Sequence, residues 1–402
     1  MHWIEQDTLA EVLAANAVYA PTTEAFLQSA AHLLSTSPLQ VERAFLSLQT
    51  LHPAFRARTY LWRMRTDRVQ VTEWPHGLKS RPGYYDSPDF HVHRSRAEFR
   101  VRKPQEMKRP RCEPYDELKA EGYTDYLMVP LLFSDGTVNT FAIASKARNG
   151  FPEDELDHFR DMTDIFIVIL ERYAALETVA STLETYLGRS TTREVLRGHI
   201  RAGHGELIDA TVLFADLRDY TAHSARLDPV GTVKLLNDYF DCLVGPIETH
   251  QGHVLKFIGD AVLAFFPVPP EGPKPAPLDA VRAIRKRLAQ LNQTRRRQGE
   301  TPIQHGLCLH FGQVLYGNVG STERLDFTII GQAVNVAARG VDATRTLGAD
   351  YLFTRDFIKG FSARGLVPVG ALNFRGVPKS IEFFTFAGGS RDTDKAQISV
   401  SG

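Results

Sequence analysis

The sequence predicts an α+β chain with two sheet domains joined by a long linker helix. Three observations predict it. In the first half, "DYLMVPLLFSDGTVNTFAIAS" reads as two apolar strands turning around Asp135-Gly136, a strong hairpin signal. Next, Pro152-Glu153-Asp154 opens a helix whose apolar residues recur in steps of four and three. In the second half, strand and helix patterns follow in the order β-α-β-β-α-β, which suggests a ferredoxin-like core with added elements. A length of 402 residues suits two domains, each able to bury a core.

Taken in order, residues 5–36 read as helical. "RAFLSLQTL" and "TYLWRMRTDRVQVTEW" read as strands, the second folding back at Thr66-Asp67. Arg81–His93 reads as a loop rich in Pro, Gly and aromatics, and the basic stretch Arg94–Arg111 as a solvated face. After the hairpin comes the long helix, where Met162, Phe166, Ile169, Tyr173, Leu176, Ala180, Leu183 and Leu187 form a heptad seam. The helix is apolar all round over Met162–Leu170 and is expected to pack on its own domain there. Beyond Tyr173 the seam predicts a dimeric coiled coil.

A second domain begins near Gly205. "ATVLFAD" is a strand and "PVGTVKLLNDYFDCLVGPIETH" an amphipathic helix. "HVLKFIGDAVLAFFPV" is a pair of strands interrupted at Ile258-Gly259-Asp260. A Pro-rich loop (Pro267–Pro277) leads to a helix ending "TRRR", where cations suit the C-terminal dipole. Two further strands, "QHGLCLHFGQVLYGNVG" and "LDFTIIG", precede the helix "QAVNVAARGVDAT". The expected organisation is 1–160 for the first domain, 161–204 for the linker and transducer segment, 205–388 for the second domain, and 389–402 for a disordered tail.

Composition excludes several classes. Lysine plus arginine equals aspartate plus glutamate, at 47 each, so neither a nucleic-acid coat nor an anionic membrane is expected as the main partner. The longest apolar run, "IFIVIL", is far shorter than the roughly 20 residues of a spanning helix. The N-terminus lacks a signal-peptide pattern, and three scattered cysteines argue against a disulfide framework. A soluble cytoplasmic protein is the expectation. Cys112, beside Lys108, Arg109 and Arg111, reads as an idle surface thiol, and Cys242 and Cys308 read as core. His91 and His93 would share one side of a strand, with too few further ligands for a metal.

The chemistry concentrates in the second domain. Asp216 ends one apolar strand and Asp260 sits in the turn of the hairpin. In a β-α-β-β sheet these elements can lie side by side, bringing two carboxylates to adjacent strand ends. Hard cations such as Mg²⁺ take oxygen ligands of this kind and share them with phosphates. Arg339 follows Asn335 by four residues, so both occupy one helix face.

"FADLRDYT", "KFIGDAVLAFF" and "LDFTIIGQAVNVAAR" together resemble the class III adenylate and guanylate cyclases, over roughly residues 205–388. The resemblance implies that Asp216 and Asp260, with the Leu217 carbonyl, bind two Mg²⁺ or Mn²⁺ ions. It implies that Lys256 and Thr328 read the base, that Asn335 orients the ribose, and that Arg339 stabilises the transition state. Arg375, in "NFRGVPKSIEFF", matches a basic position for the terminal phosphates. A lysine that only donates and a threonine hydroxyl that can accept suit N1 and N6 of adenine, and guanine reverses both edges. ATP is therefore the expected substrate. Threonine at 328 also resembles a subgroup whose members often respond to bicarbonate. The family pattern further implies a homodimer in which two chains pair head to tail around a two-fold axis, so that Asp216 and Asp260 of one chain face Lys256, Thr328, Asn335 and Arg339 of the other.

In the first half, the order helix, strands, variable middle, hairpin and long exit helix resembles a GAF domain. That resemblance implies a pocket for a small molecule or chromophore, or else a degenerate fold that only dimerises. No Cys-His pair supports a covalently bound bilin. The sequence thus reads as an adenylate cyclase with a sensory N-terminal domain. The alternative is a catalytically silent nucleotide-binding or dimerisation module on the same fold. A diguanylate cyclase is disfavoured, because the hairpin turn is Ile258-Gly259-Asp260-Ala261 rather than a Gly-Gly-acid-acid-Phe turn.

Overall fold

The computed structural model describes residues 20–77, 83–104, 113–225, 227–269, 275–359 and 364–388. The chain forms two compact units, Met1–Thr185 and Tyr186–Gly402. The division falls inside the segment expected as linker. No helix among the described residues is long and apolar enough to cross a membrane.

The first unit runs α1 (Thr23–Thr36), β1 (Arg43–Gln49), β2 (Phe55–Arg63), β3 (Arg68–Pro75), α2 (Pro88–Ser95), β4 (Phe99–Arg102), α3 (Glu113–Ala120), β5 (Asp125–Leu132), β6 (Val138–Ser145) and the part of α4 (Glu153–Leu196) up to Thr185, the rest of that helix belonging to the second unit. Its sheet has the order β3-β2-β1-β6-β5-β4, and every neighbouring pair is antiparallel. Period-two alternation sends Leu127, Val129 and Leu131 to one face and Tyr126 and Met128 to the other. The first face is covered by α1 and α4 through Phe26, Leu34, Phe159 and Phe166, and the second by α2 and α3 through Val92 and Leu118. Tyr173 is the last buried residue of α4 in this core, with Ala174 packed against it, and beyond them Leu176 and Val179 are exposed. The helix is interrupted at Gly188, whose φ of 77° is left-handed.

Three expectations in this unit change. Residues 88–95 form a helix, because Ser87 caps it by accepting from the Phe90 N–H at 3.2 Å and Pro88 suits its first turn. His91 and His93 therefore do not share a strand face. The stretch from Arg94 is not wholly solvated: Arg100, on β4, is largely buried and pairs with the buried Asp125. The helix expected over residues 5–36 is described only as α1. Residues 105–112, with Cys112, and the tail 389–402 lie outside the described residues.

The second unit continues with β7 (Gly205–Leu217), α5 (Tyr220–Ser224), α6 (Pro229–Thr249), β8 (His253–Ile258), β9 (Ala261–Pro267), α7 (Ala276–Arg297), β10 (His305–Gly320), β11 (Leu325–Ile330), α8 (Gln332–Thr346), β12 (Tyr351–Thr354), α9 (Arg355–Ile358), β13 (Leu366–Leu372) and β14 (Ile381–Phe386). The sheet order is β13-β14-β12-β10-β7-β9-β8, with β11 paired to the far half of β10. Within it, β10-β7-β9-β8 is the ferredoxin-like order fourth, first, third, second, and all three pairs are antiparallel. Helices α6 and α7 bury Leu235, Leu243 and Ile284 against Leu213 and Ala264 on one face. Helix α8 buries Ala333 and Ala337 against Val212 and Phe265 on the other.

Glycine sets how closely α8 lies on β10. A Cβ at Gly340 would stand 2.3 Å from the Cys308 sulfur, and one at Gly312 would stand 2.9 Å from the Ala333 Cβ. Cys308 is fully buried under this contact and Cys242 is buried beside α7, as expected. The "TRRR" end differs in detail. Arg295 is buried, donating to the Thr301 carbonyl at 2.9 Å and pairing with Glu300 at 2.8 Å.

Candidate active site

Strand β7 pairs with β9 in the register Ala215↔Val262, so the end of β7 lies beside the β8–β9 turn. That turn is two residues, Gly259-Asp260, closed by the pair Ile258↔Ala261. Gly259 has a φ of 65°, which glycine adopts without steric cost and which suits a tight hairpin. Asp260 is thereby presented at the hairpin tip. Asp216, next to last in β7, stands within hydrogen-bonding reach of it.

Burial, and then the neighbouring Asp260 carboxyl, push the Asp216 carboxyl up to about 6. No lysine or arginine forms an ion pair with either aspartate among the described residues. A buried tyrosine and a buried histidine lie close by, with the buried Arg218 beside the histidine. Tyr239, buried on α6, is held well above the ordinary phenol range by burial and by the two aspartates. Its hydroxyl meets His305 Nδ1 at 3.3 Å, and burial keeps that imidazole neutral, down at about 3. Arg345 acts on Asp216 only at longer range, and two abutting carboxyls without a bonded cation are costly as a pair of anions and well suited to a divalent cation. No group of three or more His, Cys, Asp or Glu side chains is assembled among the described residues. The pair of carboxylates is a donor set that fits a magnesium-like ion completing its shell with water and phosphate.

The remaining candidates gather elsewhere. Lys256 follows a β-bulge in β8, where the register shifts between Val254 and Lys256. Bulges re-aim side chains and are common beside active sites. Its ammonium pairs with Asp326 on β11, two residues before the buried Thr328. Asn335 and Arg339 lie one turn apart on α8, with Asn335 exposed. Arg339 donates to the Arg375 carbonyl, and Gln332 Nε2 donates to the Gly376 carbonyl at 3.2 Å, so the loop after β13 is tied to α8. Lys256 and Thr328 are thus linked through Asp326, and Arg339 and Arg375 come together. The sequence reading missed Asp326. The only signal for it was its place two residues before Thr328 on one strand.

Along β10, Asp216 is in register with Gly306 and Thr328 with Gly317. Lys256 lies in the row of Cys308, through Leu263 and Phe214, and reaches the β11 end through Asp326.

Residues 204–347 match the model for the adenylate and guanylate cyclase catalytic domain. An adenylate cyclase of Anabaena cylindrica is 34% identical over 168 residues, covering 41% of this chain and 33% of that protein. Adenylate cyclase 1 of Rhizobium meliloti is 27% identical over 210 residues, covering 49% of this chain and 31% of that protein. The crystal structure of the adenylyl cyclase CyaB from P. aeruginosa is 28% identical, with a TM-score of 0.41, covering 48% of this chain and 100% of that one. The chain spans about a third of the length of the curated relatives it matches. Its second unit carries a class III adenylate/guanylate cyclase catalytic domain.

The first unit has an open surface pocket of about 620 Å³. Tyr84, Tyr85 and Phe90 wall it with rings packed edge to face, and Arg56, His93 and Arg94 contribute to its lining.

Proposed function

We propose that this chain is an adenylate cyclase, converting ATP to 3′,5′-cyclic AMP and pyrophosphate at sites shared between two copies. The observation that carries this reading is the abutting pair Asp216 and Asp260, with no bonded lysine or arginine among the described residues, inside the matched cyclase domain. The ribose 3′-oxygen attacks the α-phosphorus. The bond from that phosphorus to the pyrophosphate oxygen breaks, and the hydroxyl proton leaves to solvent.

Each residue has a role that follows from its chemistry. Asp216, Asp260 and the Leu217 carbonyl would hold two Mg²⁺ or Mn²⁺ ions, which when bound supply positive charge to the phosphate oxygens. Lys256 donates to adenine N1, and the Thr328 hydroxyl accepts from N6. Asn335 orients the ribose. The Arg339 guanidinium, always charged and able to fork onto phosphate oxygens, stabilises charge at the α-phosphate. Arg375 meets the terminal phosphates.

The shared site follows the head-to-tail pairing that the cyclase resemblance implies, in which a two-fold partner supplies the second set. Exposed Leu176 and Leu187 support coiled-coil pairing, because such a seam otherwise stays in water. The first unit is read as a GAF-like regulatory domain, and its aromatic-walled pocket as the place for a small ligand. The experiment is direct: incubate the purified chain with ATP or GTP and Mn²⁺ or Mg²⁺, and identify the product. Cyclic AMP from ATP is expected. Absence of any cyclic nucleotide would sink the reading.

A further inference from the structure

The Lys256–Asp326 pair leads past the residues already assigned. Lys256 has a long, flexible stem and three donors with no fixed direction, so alone it is a poor reader of one base edge. Asp326 gives it a direction. The acid lies on β11 with Thr328 two residues further on, and strand residues two apart share a face. In register, Asp326 faces Val319 and Thr328 faces Gly317. Lys256 is 25% exposed and Asp326 63% exposed, so the pair stands at the rim while the Thr328 hydroxyl lies at the buried end. A carboxylate, an ammonium and a hydroxyl are thus gathered at one edge.

Their hydrogen-bonding character is asymmetric. An ionised carboxylate only accepts. The adenine 6-amino group has two N–H donors, of which Thr328 takes one. The 6-oxo group of guanine has none, and its lone pairs would face a negative oxygen.

We propose that Asp326 is a specificity-determining residue: it orients the Lys256 ammonium and places a second acceptor beside the 6-position of the purine, favouring an amino group and rejecting a carbonyl. This inference rests on the reading of the site as a purine nucleotide site. A polar mismatch that leaves buried groups unpaired discriminates far more strongly than a change of shape alone. Asp326 is partly exposed, so its share is smaller, on the order of ten- to a hundredfold.

The test is Asp326→Asn, which keeps the shape and offers an amide N–H to a 6-oxo group, with Asp326→Glu as the conservative control. Binding of α,β-methylene-ATP and α,β-methylene-GTP with Mn²⁺ is measured by calorimetry on the full-length chain, and turnover is measured on ATP and GTP. In the Asn variant the adenine-over-guanine ratio should fall at least tenfold in both measurements, through KM more than kcat. The Glu variant should keep most of the ratio. In a Lys256→Ala background the Asn change should add much less, because part of its effect runs through the lysine. A merely structural role would lower kcat and weaken both nucleotides equally. An unchanged ratio in a folded Asn variant, or a parent that binds the two analogues alike, overturns the proposal. A parent that forms no cyclic product yet binds adenine selectively, with selectivity lost in Asp326→Asn, refutes the cyclase reading and leaves this one standing.

Discussion

Two strand-end aspartates in this molecule have opposite surroundings. Asp125 begins β5 with its side chain only 1% exposed. It accepts from Arg100 Nε at 3.1 Å, from Arg100 Nη2 at 2.7 Å and from the Phe151 N–H at 3.1 Å. Arg100 is in turn shared with Glu153 at 2.8 Å. Every demand of that carboxylate is met inside the chain, as buried charge requires. Asp216, next to last in β7, is half-buried and lies beside another acid. The first arrangement locks a strand to the start of a helix. The second sets two like charges side by side. A carboxylate satisfied by its own chain points to structure, and one left beside a like charge points to function.

The strongest way to break this comparison is at the open pair. Asp260→Asn keeps the side-chain shape and removes one charge from the cation site. Cyclase activity should fall by at least about a hundredfold while the fold persists, because charge at the reacting phosphate is worth several kcal/mol. Circular dichroism and activity at saturating Mn²⁺ check it together, and retained activity would remove the pair from the mechanism.

Mixing variants sharpens the spatial side of the argument. Asp260→Ala and Arg339→Ala should each be nearly inactive alone. Combined under conditions where subunits exchange, about half the dimers are mixed, each with one intact site, so up to about a quarter of parental activity should return. No recovery despite demonstrated exchange would mean that one chain builds the whole site.

The closed site makes the opposite forecast. Asp125→Asn leaves Arg100 largely buried with half its partners lost, at a cost of about 3 kcal/mol of stability. Calorimetry of the full chain should show the transition of the first unit moved down. Nucleotide affinity of the second unit should be unaffected, since no candidate ligand of the nucleotide lies in the first unit.

Much of this contrast was legible in the sequence. Apolar runs and turn pairs located both hairpins, and Gly259 before Asp260 marked the tip on which the second acid stands. The β-α-β-β-α-β order put β7 beside β9 before any register was known. Partners formed across distant strands were not legible. Nothing near Asp125 in sequence announces Arg100, since the pair depends on how β4 lies on β5. Asp326 was hidden in the same way, because its lysine lies 70 residues away and reaches it only after the bulge re-aims β8. The helix Pro88–Ser95 was missed for a local reason: its Ser-Pro-Asp start is a cap, and it was passed over as part of a Pro-rich loop.

The smallest effect tests the open site through stability rather than rate. The Asp216 carboxyl sits up at about 6, above its ordinary value of 3.8. The native state therefore holds this proton more tightly than the unfolded chain does. The stabilising contribution is fully present below about pH 4 and is lost as pH rises through about 6. At neutral pH, without divalent cations, the two charges oppose folding. A shift of this size corresponds to about 3 kcal/mol, reduced to about 1 kcal/mol because the carboxyl is half in solvent. Asp216→Asn should remove that repulsion and raise the Tm of the metal-free protein by about 2–4 °C at pH 7.5, with little change at pH 4. The same variant should lose most of the further rise that Mg²⁺ gives the parent at pH 7.5, because the cation and the proton compete for one carboxyl. The structural pair at Asp125 should show the reverse sign under the same substitution. If Asp216→Asn instead destabilises the metal-free chain at pH 7.5, the carboxylate is satisfied within the protein, and the distinction between the two aspartates fails.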